Sequence, residues 1–275
     1  MVVAIVLAFS IASYRSSPVS LVTGGDAPLS FELDPLTLTY TVTTADGEVS
    51  FTSHGAEDNG FAYSANGKHR GLLSGLVQLG DPTPASGSDA TGTFTSLSIN
   101  FTHKSSEGVV GWVATVKAYT NRSALVFAQR WPRGGRNTTG GSTFPSLKQA
   151  VAPKGGVPQL GTLEYTGASC GFMVSAKGEF PGIVGGAEKG YIVIAPRDVD
   201  GTGASTTLAI GPVTEHFANQ ARSSTGASLT YGVAPTFETL PAGFTVETVL
   251  VASGKKKTKT PHNDDVGARA SITSG

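Results

Sequence analysis

Gly167-Ala168-Ser169-Cys170-Gly171 has the G-x-S-x-G spacing that presents a nucleophilic serine in an α/β-hydrolase. That chemistry needs a strand, a sharp turn and then a helix, so that the serine Oγ stands clear of the sheet. Here the motif runs into FMVSAKG, which has the composition of a strand, and no βαβ pattern surrounds it. Nothing marks one of the scattered histidines as the base that Ser169 would need. The segment is therefore expected to be a glycine-bounded turn between strands, with Ser169 not a nucleophile.

Other chemistries have as little support. Asp198-Val199-Asp200-Gly201 places alternate carboxylates as a calcium loop does, but the later ligands and the closing glutamate are missing. Gly201-Thr202-Gly203 reaches no third glycine and opens no helix, so it is not a dinucleotide fingerprint. His54, His69, His103, His216 and His262 show neither HxH nor HExxH spacing, and Cys170 is the only cysteine. No metal site, internal disulfide or cofactor is expected. Glycoside hydrolysis takes two carboxylates about 5–10 Å apart across a sugar. The sequence singles out no such pair among its 20 acidic residues, so no catalytic residue is nominated. Trp112, Tyr119, Trp131 and Tyr191 are carbohydrate-binding candidates, because an exposed aromatic face can stack on a sugar ring. In an alternating strand the same residues pack into a core, and that reading stands beside the first.

The elements that carry these residues are strands. Charged residues make up only 15% of the 275-residue chain, and 36 residues are glycine. An average soluble domain is about 25% charged and about 7% glycine. FTSLSINFTH alternates, with Thr95, Leu97, Ile99 and Phe101 on one side. GWVATVKAYTNRSALVFAQRWP forms the strongest hairpin, turning at Thr120-Asn121-Arg122-Ser123. Trp112, Ala114 and Val116 share one face of its first arm; Leu125, Phe127 and Trp131 share one face of its second. Ala45-Asp46-Gly47-Glu48 is expected to close another hairpin as a type I′ turn. VTEHFANQA is the best helical fragment, and FTVETVLVAS is a final strand whose Phe244, Val246, Val249 and Val251 are expected in the core. The spacing predicts an all-β fold, a large antiparallel two-sheet sandwich, supersandwich-like in size.

Net charge is zero, which gives the molecule no electrostatic reason to seek nucleic acid or an anionic membrane. Residues 1–17 contain the apolar run VVAIVLAFSIAS, which reads either as a signal peptide or as a first strand. It is too short to span a bilayer, so no transmembrane segment is expected. N-x-S/T triplets at Asn100, Asn121 and Asn137 are candidate glycosylation sites and fit a secreted protein. Asn121, placed in a hairpin turn, is the expected glycan carrier. Residues 18–254 form the expected β-sandwich domain, and residues 255–275 a disordered basic and polar tail.

FTSLSINFTH, VATVKAYTNRSALVFAQRWPRG, TFPSL, GYIVIAP, LAIGP and LPAGFTVETVLVASG occur in this order, within a match spread over about Ser30 to Ser253. In that order they resemble the N-terminal β-sandwich region of protist and algal proteins of the glycoside-hydrolase superfamily. Those proteins are similar to α-galactosidases and raffinose synthases, with a β-supersandwich ahead of a (β/α)8 barrel. The resemblance implies a domain that shapes and supports a barrel whose strand ends carry the catalytic carboxylates. The barrel is missing from this chain, so no position inherits a catalytic role, and the tail from Lys255 is expected to mark a truncation. The implied function is an accessory domain, inactive alone, partnered in a longer protein by a (β/α)8 domain. The alternative is a free-standing extracellular carbohydrate-binding or adhesion module.

Overall fold

The computed structural model describes residues 17–53, 60–103, 108–157, 159–168, 171–180, 189–196, 206–215, 218–224 and 228–254. Residues 1–16 of the expected leader, Ser169, Cys170, Asp198 to Gly201 and the tail from Lys255 lie outside the described residues.

Among the described residues the chain forms 22 strands and no helix. One sheet has seven strands. Their spatial order is β1 (Val19–Val22), β2 (Leu29–Leu33), β3 (Tyr40–Thr44), β4 (Ser50–Thr52), β14 (Ser146–Gln149), β20 (Ser228–Val233) and β19 (Asn219–Ser224). The other has ten. Its main path is β16 (Gly171–Glu179), β15 (Leu160–Ala168), β17 (Lys189–Pro196), β18 (Thr207–Pro212), β22 (Phe244–Ser253), β11 (Ala124–Trp131), β10 (Trp112–Tyr119), β9 (Gly92–His103) and β7 (Leu76–Gln78). The tenth strand, β8 (Thr83–Asp89), pairs with β9 as well. Two small sheets fill one end: β12 (Gly135–Arg136) with β21 (Thr239–Leu240), and β13 (Ser142–Thr143) with β5 (Ala62–Ala65) and β6 (Lys68–Gly71).

The two large sheets share one core. Phe31, Tyr40 and Phe51 from the first are buried in one cluster with Ile99, Trp112, Phe127 and Leu250 from the second. Phe31 and Phe127 meet edge to face across the interface, centroids 6.2 Å apart. This is the two-sheet antiparallel sandwich that the period-2 pattern predicts. The β10–β11 hairpin has the expected turn and faces, with Val116 opposite Phe127 and Ala114 opposite Gln129.

Three local expectations are corrected. Val246 and Leu250 point into the core, so strand parity turns Val249 and Val251 to the opposite face. There Val249 packs on a small cluster of Tyr119, Ala124 and Val126, while Val251 is exposed. The 45–48 turn is not type I′, since Gly47 but not Asp46 has positive φ. Asp46 instead organises a longer connection: its Oδ1 accepts from the Thr44 hydroxyl at 2.5 Å and from the Glu48 N–H at 3.1 Å. Its Oδ2 accepts from Thr206, 160 residues on, at 2.5 Å. Burial pushes the Asp46 carboxyl up, but the donors from Thr206, Thr44 and Glu48 outweigh it and hold the group below the usual range. Finally, the described residues of VTEHFANQA form no helix. The Ala218 and Asn219 N–H groups both donate to Glu215 O in a single turn, and Asn219 then enters β19, paired to Val233.

Tyr40 locks β3 to β14 through its hydroxyl, which accepts from Ser146 N at 2.7 Å and donates to Ser146 O at 3.0 Å. Tyr40 is buried, so water cannot replace that acceptor. Tyr40→Phe is expected to cost about 1–3 kcal/mol, the penalty of stranding a buried amide. The urea midpoint of the purified variant checks it; an unchanged midpoint would mean that Ser146 N has another acceptor within reach.

Candidate functional site

The four aromatic candidates do not form a sugar platform. Trp112 and Trp131 lie in the core, where Trp112 stacks on Phe101 at 5.2 Å and meets Trp131 at 6.4 Å. Trp112 has no solvent exposure and is enclosed by Phe61, Tyr63, Phe101, Trp131 and Phe144, so no sugar ring can reach its face. Tyr119 is buried on the opposite face of β10, and its hydroxyl donates to Asp89 Oδ2 at 2.7 Å. Burial, and then the Asp89 hydrogen bond and charge, push its phenol up to about 12. Asp89 also lies 3.5 Å from Lys117, which pairs with Glu247 at 2.9 Å. Tyr191 is the one half-exposed member, its ring lying over the backbone of Gly211. Of the glycosylation candidates, Asn121 and Asn137 are exposed and Asn100 is half-buried in β9 opposite Val113. Ser169 is outside the described residues. The flanking Ala168 and Gly171 pair across the antiparallel β15 and β16, so strands and not a helix bracket the motif.

A polar cleft that the sequence did not announce lies where the two small sheets meet the end of β11. It encloses about 480 Å³, within the range of about 300–1,000 Å³ usual for small-molecule sites. Its position follows from backbone chemistry. Trp131 O accepts from Gly134 N at 3.1 Å and from Gly243 N at 2.8 Å, tying the loop after β11 to the entry of β22. Gly134 has φ +72°, and a Cβ there would overlap Leu240 O and sit 2.8 Å from Pro241 C. Only glycine lets these two segments lie so close.

The third wall is a tight hairpin. Asn66 and Gly67 have φ of 53° and 69°, and Ala65 pairs with Lys68, a two-residue loop with positive φ at both positions. The N–H groups of that loop do not point to solvent. Asn66 N donates to Arg136 O and Gly67 N to Asn137 O, each at 2.9 Å, docking the hairpin onto β12. The dipeptide Asn66-Gly67 is the one signal in the sequence that could have marked this wall.

Inside the cleft, Tyr63 is buried and its hydroxyl lies 3.5 Å from His103 Nδ1. Arg70 faces Tyr63 across the β5–β6 pair. Burial, and then the Arg70 charge, push His103 below the usual imidazole range, so its ring is neutral at pH 7. Burial pushes the Tyr63 phenol up, with Arg70 opposing. Trp131 closes the inner end, and its Nε1 is buried without a hydrogen-bond partner. Arg133, Arg136, Asn66 and Thr239 are exposed around the opening. Among the described residues the lining is rich in donors and contains no aspartate or glutamate. It is suited to holding a small polar ligand, and these residues offer no carboxylate pair for splitting a glycosidic bond.

No family model matches the chain, and no curated protein matches it. Among solved structures, the chain is similar to a GH36 α-galactosidase from Geobacillus stearothermophilus in complex with 1-deoxygalactonojirimycin. The identity is 12% and the TM-score 0.48, over 86% of this chain and 41% of that one. It is also similar to the galactosidase domain of an α-galactosidase–sucrose kinase, AgaSK. There the identity is 13% and the TM-score 0.42, over 85% of this chain and 40% of that one. The chain thus spans about two fifths of the length of either structure.

Proposed function

We propose that the chain is an accessory β-sandwich domain of a glycoside-hydrolase-like protein, one that contacts carbohydrate without cleaving it. In a longer protein it supports a separate (β/α)8 catalytic domain, and the protein follows the secretory route. The observation that carries this reading is the lining of the cleft. Tyr63, Asn66, Thr239 and the two arginines supply hydrogen-bonding groups on a sandwich scaffold, where hydrolysis would call for opposed carboxylates. The ordered resemblance of six strand segments to sandwich regions of that superfamily supports it as well. The purified 275-residue chain is expected to give no turnover of aryl-α- or aryl-β-glycosides above background. Hydrolysis that one Asp or Glu substitution abolishes would place an active site in this chain and overturn the reading. A free-standing carbohydrate-binding or adhesion module is the second reading, favoured because the cleft is formed within this chain alone. The genomic sequence downstream of the Gly254 codon separates the two: an encoded barrel supports the first, its absence the second.

A further inference from the structure

We propose that the cleft selects an acidic saccharide, one carrying a carboxylate or sulfate, over its neutral counterpart. This rests on the carbohydrate-contacting reading above and names the class of sugar. The whole chain balances 20 basic against 20 acidic residues. The cleft departs sharply from that balance. Arg133 and Arg136 stand exposed at its opening, two glycines apart, and among the described residues no lining residue carries a carboxylate to neutralise them. Arg70 adds a third cation close behind, near enough for its charge to act on both Tyr63 and His103. Guanidinium groups match carboxylate and sulfate oxygens in paired, charge-assisted hydrogen bonds, which a neutral hydroxyl cannot reproduce.

A second observation points the same way. One buried donor of the lining, Trp131 Nε1, has no hydrogen-bond partner. A buried donor is costly unless an acceptor reaches it, and a ligand oxygen would supply one. An acid group is acceptor-only when ionised. His103, neutral at pH 7, contributes no charge of its own, so the preference for an anion falls to the arginines.

Isothermal titration calorimetry on the purified 275-residue chain at low salt tests this with digalacturonate against the neutral digalactose. Digalacturonate is expected to bind at least about tenfold more tightly, with affinity falling as salt is raised. The double variant Arg133→Ala/Arg136→Ala should lose that preference, while Arg122→Ala, in the β10–β11 turn, should keep it. Both arginines are exposed, so the double variant should melt with the parent. If it melts early, Arg133→Gln/Arg136→Gln takes its place. Equal affinity for the two sugars would overturn the acidic preference and leave the carbohydrate reading intact. Digalacturonate binding that survives loss of both arginines would also overturn it, since the site would lie elsewhere. If neither sugar binds, the proposal fails, whereas the accessory-domain reading is judged separately by the aryl-glycoside assay.

Discussion

Trp112→Ala is expected to lower the unfolding free energy by about 3–5 kcal/mol, the usual cost of removing a large buried aromatic. The indole has no solvent exposure and touches rings from the ten-stranded sheet, from the small β13–β5–β6 sheet and from Phe61 and Phe144 beside it. It stacks on Phe101 at 5.2 Å and lies 5.5 Å from Tyr63, 6.5 Å from Phe61 and 6.5 Å from Phe144. Five fixed rings surround the hole, counting Trp131, and interiors this closely packed collapse only in part. Urea unfolding followed by far-ultraviolet circular dichroism measures the loss. Trp112→Phe provides the internal scale. It keeps most of the ring volume and removes the indole Nε1, a buried donor with no partner, so it should cost far less than alanine. If the two substitutions cost the same, packing around Trp112 is not what holds this end of the core.

Gly134→Ala should be the most damaging small substitution near the cleft, at about 2–4 kcal/mol. Left-handed φ costs an alanine about 1–2 kcal/mol, and forcing an extra methyl into packed atoms adds a further penalty of similar size. The new methyl would overlap Leu240 O and press on Pro241 and Ala242, forcing β12 away from β21. Gly67→Ala is the control. Its φ of 69° carries the same strain, but a Cβ there meets nothing within 4 Å. Gly67→Ala should therefore show the strain alone, and the difference between the two variants isolates the close approach. Equal melting temperatures for both would refute the claim that contact between these segments shapes the cleft.

The parts of the fold that were legible are those that encode their own faces. β9, β10 and β11 each repeat apolar residues at every second position, and the register that pairs Val116 with Leu97 and Phe127 follows that pattern. The same parity already placed Trp112 beside Ala114 and Val116, which is a core-facing row. Reading it as a sugar platform needed an uncovered sheet face, and Phe61, Tyr63 and Phe144 pack over the indole instead. β22 misled because both of its faces carry β-branched residues: composition cannot say that Val246 is buried while Val251 is exposed. The cleft was illegible for another reason. Its described residues come from 63–66, 103, 109–111, 131–138 and 239–240, and most of these stretches are too short to alternate. Backbone pairs such as Asn66 N to Arg136 O assemble them, and such pairs leave no trace in side-chain pattern.

β22 has one more consequence, for the order in which the chain can be built. It is the last described strand, yet it lies inside the ten-stranded sheet, between β11 and β18. Ala124 waits for Val251, and Leu208 for Ala252. During synthesis the sheet therefore exists as two blocks, each with an open edge, until residues 244–253 have left the ribosome. Pairings of such long sequence separation form slowly, because the loop entropy is spent before any contact returns it. Meanwhile the unfilled slot is a pair of bare strand edges, the kind of surface that recruits other chains. Any segment translated after residue 254 would meet an unfinished neighbour until the final strand slides home.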